Sequence, residues 1–139
     1  MKTVVLSLTL MLAGLMGYAQ ENEGIQIKVT IDNVTSDEGQ VLASLHTEDT
    51  FMKGPGIQNM AHTIENGTVT FTFSGVAPGM YAIMALHDAN TNNRMDYEDN
   101  GMPKESYGLS GNKAAYGPPN FEIAKFEVAQ EDLELSIRF

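Results

Sequence analysis

Apolar and polar side chains alternate through most of the chain with a period of two, the repeat of a strand that buries one face. Ile25, Ile27, Val29 and Ile31 alternate with Gln26, Lys28, Thr30 and Asp32, and Val41, Ala43 and Leu45 alternate with Leu42, Ser44 and His46. Asp37, Glu38 and Gly39 supply a turn between these two strands. After an irregular stretch over 47–60, which Gly54-Pro55-Gly56 keeps from becoming helix, residues 61–65 predict a third strand that runs into Asn66-Gly67. Asn-Gly between β-type segments predicts a hairpin, because a type I′ turn needs positive φ at both central residues. The returning strand carries Val69, Phe71 and Phe73 on one face and Thr68, Thr70 and Thr72 on the other. From Met80 to Leu86 both alternating sets are apolar, which marks a central strand covered on both faces. Its start, Pro78-Gly79-x-Tyr81, is similar to the tyrosine corner of β-sandwiches, where a phenol ties a crossover loop to the sheet. Residues 100–120 have no usable period; their Tyr-Gly pairs and Pro118-Pro119 predict an ordered, rigid loop. Ala124, Phe126 and Val128 predict one further strand, and Leu133, Leu135, Ile137 and Phe139 predict the last.

These segments add up to an all-β fold, a seven-stranded antiparallel β-sandwich of the immunoglobulin or transthyretin type, with a small closed barrel as the alternative. A length of 139 residues suits one domain. At the start, Lys2, the apolar run Val4–Met16 and the small residues Gly17 and Ala19 have the layout of a secretory signal, and the run is too short to span a bilayer. Residues 1–19 are therefore expected to be a signal peptide and 20–139 a single β-sandwich domain, exported to the periplasm or beyond the cell and not inserted in the membrane after cleavage. The chain has no cysteine, so it offers no lipid-attachment thiol, no disulfide and no thiolate metal site.

Eighteen acidic against eight basic residues give a formal charge of −10. Nucleic acid and anionic lipid both need clustered Lys and Arg, so neither is an expected partner. Most of the acidic excess reads as a solvated surface, but one concentration of it has a pattern.

That pattern is Asp88–Asp99, DANTNNRMDYED, placed directly after the central strand. Oxygen-bearing side chains occupy its first, third, fifth, ninth and twelfth places, as Asp88, Asn90, Asn92, Asp96 and Asp99, and the seventh residue, Arg94, can lend its backbone carbonyl. This is the spacing with which a loop wraps one calcium ion. Zinc would call for His or thiolate ligands, and magnesium for octahedral geometry with retained waters. The sixth place, normally Gly, is Asn93, the next best residue for a left-handed turn, and Asp99 is one methylene shorter than the usual closing Glu. The competing reading is an Asx-rich turn whose side chains bond their own backbone without an ion. With neutral Asn at two ligand places the affinity expected is that of extracellular modules, Kd about 0.1–1 mM. At millimolar calcium a Kd near 0.1 mM adds about 1.8 kcal/mol of stability by linkage, a structural role for the ion.

The chain resembles the exported bacterial family known as domain of unknown function 2141. The likeness is carried by Pro78-Gly79-x-Tyr81-Ala82, His87-Asp88-x-Asn90-x-Asn92, Asp96, Gly101-x-Pro103-Lys104-Glu105-x-Tyr107-Gly108-x-Ser110 and Gly117-Pro118-Pro119-x-Phe121-x-x-Ala124. It implies a single β-sandwich outside the cytoplasm with no established activity. The family pattern has no fixed acid at the place of Asp99 but has one at Glu105, which makes Glu105 and Asp99 equal candidates to close the metal site. Asn93 departs from the Gly usual in the family.

His87, beside Asp88, is the candidate general base of the alternative function, a periplasmic metal-dependent hydrolase. A base needs a nucleophile or a substrate pocket, and Ser110 lacks a nucleophile-elbow context. The leading expectation is a binding or structural module. In it, Tyr107, Tyr116 and Phe121 either form an aromatic face for a glycan or an extended peptide, or plug the open end of the sandwich.

Overall fold

The computed structural model describes residues 24–113 and 117–139. The expected signal peptide and Tyr116 lie outside the described residues. The fold is all-β, with two sheets. The first is three-stranded, with β4 (Val69–Val76), β1 (Ile25–Ile31) and β8 (Leu133–Ser136) in that order. The second runs β3 (Gln58–His62), β2 (Gln40–His46), β5 (Gly79–Asp88) and β6 (Tyr107–Leu109), with β7 (Phe126–Val128) also paired to β5. The inward residues of both sheets meet in one core: Ile27, Val29 and Ile31 from β1, Phe71 and Phe73 from β4, Val41 and Leu45 from β2, and Ile83 from β5.

The first, second, fourth and fifth predicted strands form. The third, expected over 61–65, forms instead at Gln58–His62, where a mostly exposed strand leaves no period to fix its bounds. Three further departures from the expected plan have local causes. Among the described residues there are eight strands, not seven; the additional one, Tyr107–Leu109, lies inside the stretch without a period. Three residues are too few to show alternation. The second departure concerns direction. β8 runs parallel to β1, so the fold is not wholly antiparallel. The chain passes from β7 in one sheet to β8 in the other, and no hairpin dictates the direction of entry. Ile137 continues the line with its N–H donating to Thr30 O at 3.0 Å, and Asn33 clasps the backbone of Phe139 in both directions, at 2.9 and 3.2 Å. Third, Ala124 belongs to a single helical turn, α1 (Phe121–Ala124), and not to a strand. Asn120 starts that turn, its side chain accepting the Ile123 N–H.

The Asn66-Gly67 turn forms with φ of 52° and 72° and paired Glu65–Thr68 backbone bonds of 3.0 Å each way. It does not join a hairpin. β3 ends at His62 and pairs with β2, whereas β4 pairs with β1, so the turn carries the chain from one sheet to the other. The carboxylate of Asp37 fixes the crossing by accepting the N–H groups of Asn66 and Gly67 at 3.0 and 2.7 Å.

Strand β5 is central as predicted, flanked by β2, β6 and β7. Tyr81 donates its phenol hydroxyl to Ala77 O at 2.8 Å, closing the corner that the sequence announces. Cover on its outer face is partial. Ala82 is buried beneath Phe51, Leu109 and Ala124, but Met84 and Leu86 are half-buried and Met80 is exposed. Among the described residues no helix is long and apolar enough to cross a membrane.

Candidate metal-binding loop

The loop begins where β5 ends. Asp88 is the last residue of that strand and is fully buried, so its carboxylate must be satisfied by fixed donors. One oxygen accepts the Asn92 N–H at 3.1 Å; the other accepts the Asn93 N–H at 2.9 Å and the Gln40 side-chain amide at 2.9 Å. Curling the backbone back onto Asp88 requires left-handed residues, and Thr91 and Asn93 stand at φ 56° and 61°. Asn93 thus fills the conformational role usually given to Gly at the sixth place. Thr91 is the more strained, because a β-branched residue rarely adopts positive φ.

Asn90 and Asn92 turn their amide groups on Asp96. Asn90 donates to Asp96 Oδ2 at 2.7 Å, and Asn92 donates to both carboxylate oxygens at 2.9 and 2.8 Å. These amides, first Asn90 and then Asn92, hold the Asp96 carboxyl below the ordinary carboxylate range; slight desolvation opposes them, and the charges of Arg94 and Lys104 add to them. Arg94 reaches Asp96 only at 3.7 Å with an exposed side chain, while its N–H donates to Asn92 Oδ1 at 3.2 Å.

The two closing candidates separate. Glu105 folds back and accepts the Asp96 N–H at 3.2 Å, helped by the Lys104 N–H donating to Asp96 O and by a bridge between Tyr97 and Pro103. Asp99 is exposed in the turn that Gly101 N–H closes onto Glu98 O, and it makes no hydrogen bond to the loop. Asp88, Asn90, Asn92, Asp96 and Glu105 therefore belong to one bonded group, and Asp99 lies outside it. Among the described residues no three His, Asp or Glu side chains converge at metal-binding distance. The carboxylates are interleaved with amides, whose N–H groups supply the positive ends that three acids gathered alone would lack.

Two contributors came without a sequence signal. Gln40 bridges Asp88 and Asn93, donating to the Asn93 side-chain oxygen at 2.9 Å as well. Gly39, at φ 71°, passes so close to the loop that a Cβ there would lie 2.2 Å from Asp88 O and 2.6 Å from Ala89 O. The only trace of either was the turn signal around Asp37–Gly39.

A family model described as an uncharacterized protein conserved in bacteria, DUF2141, matches residues 29–136. The chain belongs to the DUF2141 family. The match takes in the end of β1, every strand from β2 to β8 and the whole loop with Glu105. No curated protein and no solved structure gives a match.

Within this DUF2141 domain the remaining candidates are placed as follows. His87 is buried, with ring Nε2 2.8 Å from Glu38 O and its backbone N–H donating to Ser106 O. Ser110 is buried too; its hydroxyl accepts the Ile83 N–H at 2.9 Å and donates to Ala124 O at 2.5 Å, which ties α1 to the central strand. Phe121 packs edge-on against Phe51, ring centroids 5.9 Å apart, in the small core over Ala82. Tyr107 is exposed at the sheet edge, outside the cluster that holds Phe121.

Proposed function

We propose that this DUF2141 protein is an exported module, periplasmic or extracellular, whose 88–105 segment takes up one structural calcium ion. The observation that carries the reading is the single bonded group of Asp88, Asn90, Asn92, Asp96 and Glu105, fixed to the end of the central strand. All its side chains offer the oxygen ligands a hard cation takes. Asp88 would anchor the ion, Asn90, Asn92 and Asp96 would surround it with the Arg94 carbonyl, and Glu105 would close the site in preference to Asp99. The amides now donating to Asp96 occupy the electrostatic role a cation would assume, so binding would exchange these N–H donors for the ion. The tyrosine corner at Tyr81 supports grouping the fold with sandwiches of the immunoglobulin or transthyretin type. The hydrolase alternative has no observation in its favour: the Nε2 of His87 is engaged by Glu38 O.

The test is a pair of melting curves, in excess calcium and in chelator, for the wild type and for Asn92→Asp. The wild type should melt higher in calcium. Asn92→Asp removes two N–H donors and sets a carboxylate against Asp96, so its chelator melt should fall and its calcium-induced rise should exceed that of the wild type. No calcium-induced rise in either protein would leave an ion-free Asx turn as the correct description.

A further inference from the structure

We propose that the outer face of the five-stranded sheet binds a neutral, ring-bearing apolar small molecule, in a cleft of about 660 Å³ between that face and the 95–103 loop. The floor follows from strand register. Leu42, Leu86 and Tyr107 are opposite one another across β2, β5 and β6, and Ser44, Met84 and Leu109 form the next row. The outer face of a two-layer fold ordinarily meets water and carries polar residues. Here the core already has its inward set, and an apolar outward set is left over. The small cluster around Ala82 covers one part of it, and Met84 and Leu86 floor the cleft in the other.

The roof comes from the loop. Met95 and Tyr97 alternate with Asp96, so the stretch that gives Asp96 to Asn90 and Asn92 gives its two neighbours to the cleft. Among the described residues six large hydrophobic side chains remain exposed, and four of them (Met52, Tyr97, Met102 and Tyr107) line this one cleft. Apolar exposure gathered in one place marks a binding surface, whereas the same residues scattered would not.

The chemistry of the lining selects the ligand. The volume lies in the range of sites for drug-sized molecules, about 300–1,000 Å³. In a chain with eighteen acids and eight bases, no Asp, Glu, Lys or Arg among the described residues lines the cleft. An ionised ligand would lose its hydration there and find no counter-charge. The thioethers of Met52, Met84, Met95 and Met102 and the rings of Tyr97 and Tyr107 suit an aromatic or fused-ring body, since sulfur and ring faces both attract ring edges. Polar contacts are few. Ser44 Oγ is engaged by Asn59 at 2.8 Å, and His46 lines the cleft with Nδ1 turned to Thr50 Oγ1 at 3.1 Å, leaving Nε2 for one hydrogen bond to the ligand. A sugar, with a hydroxyl on nearly every carbon, is poorly matched to so few partners.

The test is a fluorescence titration of the purified protein with N-phenyl-1-naphthylamine, a neutral three-ring probe, in calcium and in chelator. Saturable binding of one probe per chain is expected. Leu42→Lys in the floor and Met102→Glu at the exposed rim should each weaken it at least about tenfold, whereas Ile57→Glu, exposed outside the cleft, should leave it unchanged. The anionic analogue 1-anilinonaphthalene-8-sulfonate should bind at least about tenfold more weakly. Met102→Glu decides the matter if Leu42→Lys fails to fold. The proposal is overturned by an unsaturable signal, by equal affinity for the anionic analogue, or by an effect of Ile57→Glu matching that of Met102→Glu. It is equally overturned if a proline-rich peptide or an oligosaccharide displaces the probe more tightly than a neutral arene does, or if the chain dimerises through this face. Probe binding in chelator together with a failed calcium melt would remove the ion reading and leave the cleft standing.

Discussion

Asp88 and Asp96 are loop carboxylates eight residues apart that depend on different partners. Asp88 is sealed from water, and its acceptors serve two backbone N–H groups and Gln40. Truncating it strands buried donors, so Asp88→Ala should lower the unfolding free energy in urea by about 2–3 kcal/mol even in chelator, and abolish the calcium response. Asp99→Ala should change neither quantity, because Asp99 has no bond to the loop. The reverse pattern would move the closing role from Glu105 to Asp99. His46 supplies a separate pH signal. Burial lowers its pKa, partly offset by a bond with Thr50. The unfolded imidazole takes a proton near pH 6.5, the folded one only at lower pH. Its contribution is therefore complete above pH 6.5 and disappears as pH falls through the folded-state value. The Tm should decline between pH 7 and 5, and His46→Gln should flatten that slope. The Asp96 effect has the same sign but enters only below the ordinary carboxylate range, which separates the two.

The loop is assembled by two elements that meet, the end of β5 and the turn before β2. Gly39 makes that meeting possible, since any side chain there would collide with the backbone of Asp88 and Ala89. Gly39→Ala should cost more than about 2 kcal/mol, from collision and positive φ together, and should shrink the calcium response as severely as loss of a ligand does. A mild change, read by urea melts with and without calcium, would mean that the turn is not part of the site. The same junction shows why some of the design was legible and some was not. Strands β1, β2, β4 and β5 each have a buried set at every second residue, and in the first half of the loop the spacing of the oxygen-bearing side chains is itself a sequence pattern. β3 is exposed along most of its length, and a strand without a buried face leaves no period to read. Asn66-Gly67 dictates its own torsions but not the partners of the strands beyond it. Pairing is a long-range choice, made by which inward residues share the core: Phe71 and Phe73 join Val29 and Ile27 across β1 and β4. Gln40 and Gly39 were silent for the same reason: their importance is their distance from Asp88, and no local pattern encodes that.

At the scale of the whole molecule, net charge competes with the specific site as an explanation of any calcium effect. A chain of charge −10 repels itself, and every cation that screens it stabilises the compact state. Screening depends on ionic strength, and at 0.15 M salt the Debye length is already about 8 Å, so a further few millimolar of a divalent ion adds little to it. A bound ion acts by mass action and is indifferent to that background. With Kd near 0.1 mM, 2 mM calcium should raise stability by about 1.8 kcal/mol, a shift in Tm of several degrees for a domain of this size. That rise should survive in 0.15 M NaCl, since Asp88 is buried and Asn92, Asp96 and Glu105 are partly withdrawn from solvent. Magnesium at the same concentration should reproduce only a minor part, because it holds its waters and demands an octahedron that amide and carboxylate groups on a curled loop do not readily supply. Two ions of equal charge screen equally. A rise that magnesium matched, or that vanished once salt was added, would therefore belong to the acidic surface and not to Asp88 and its neighbours.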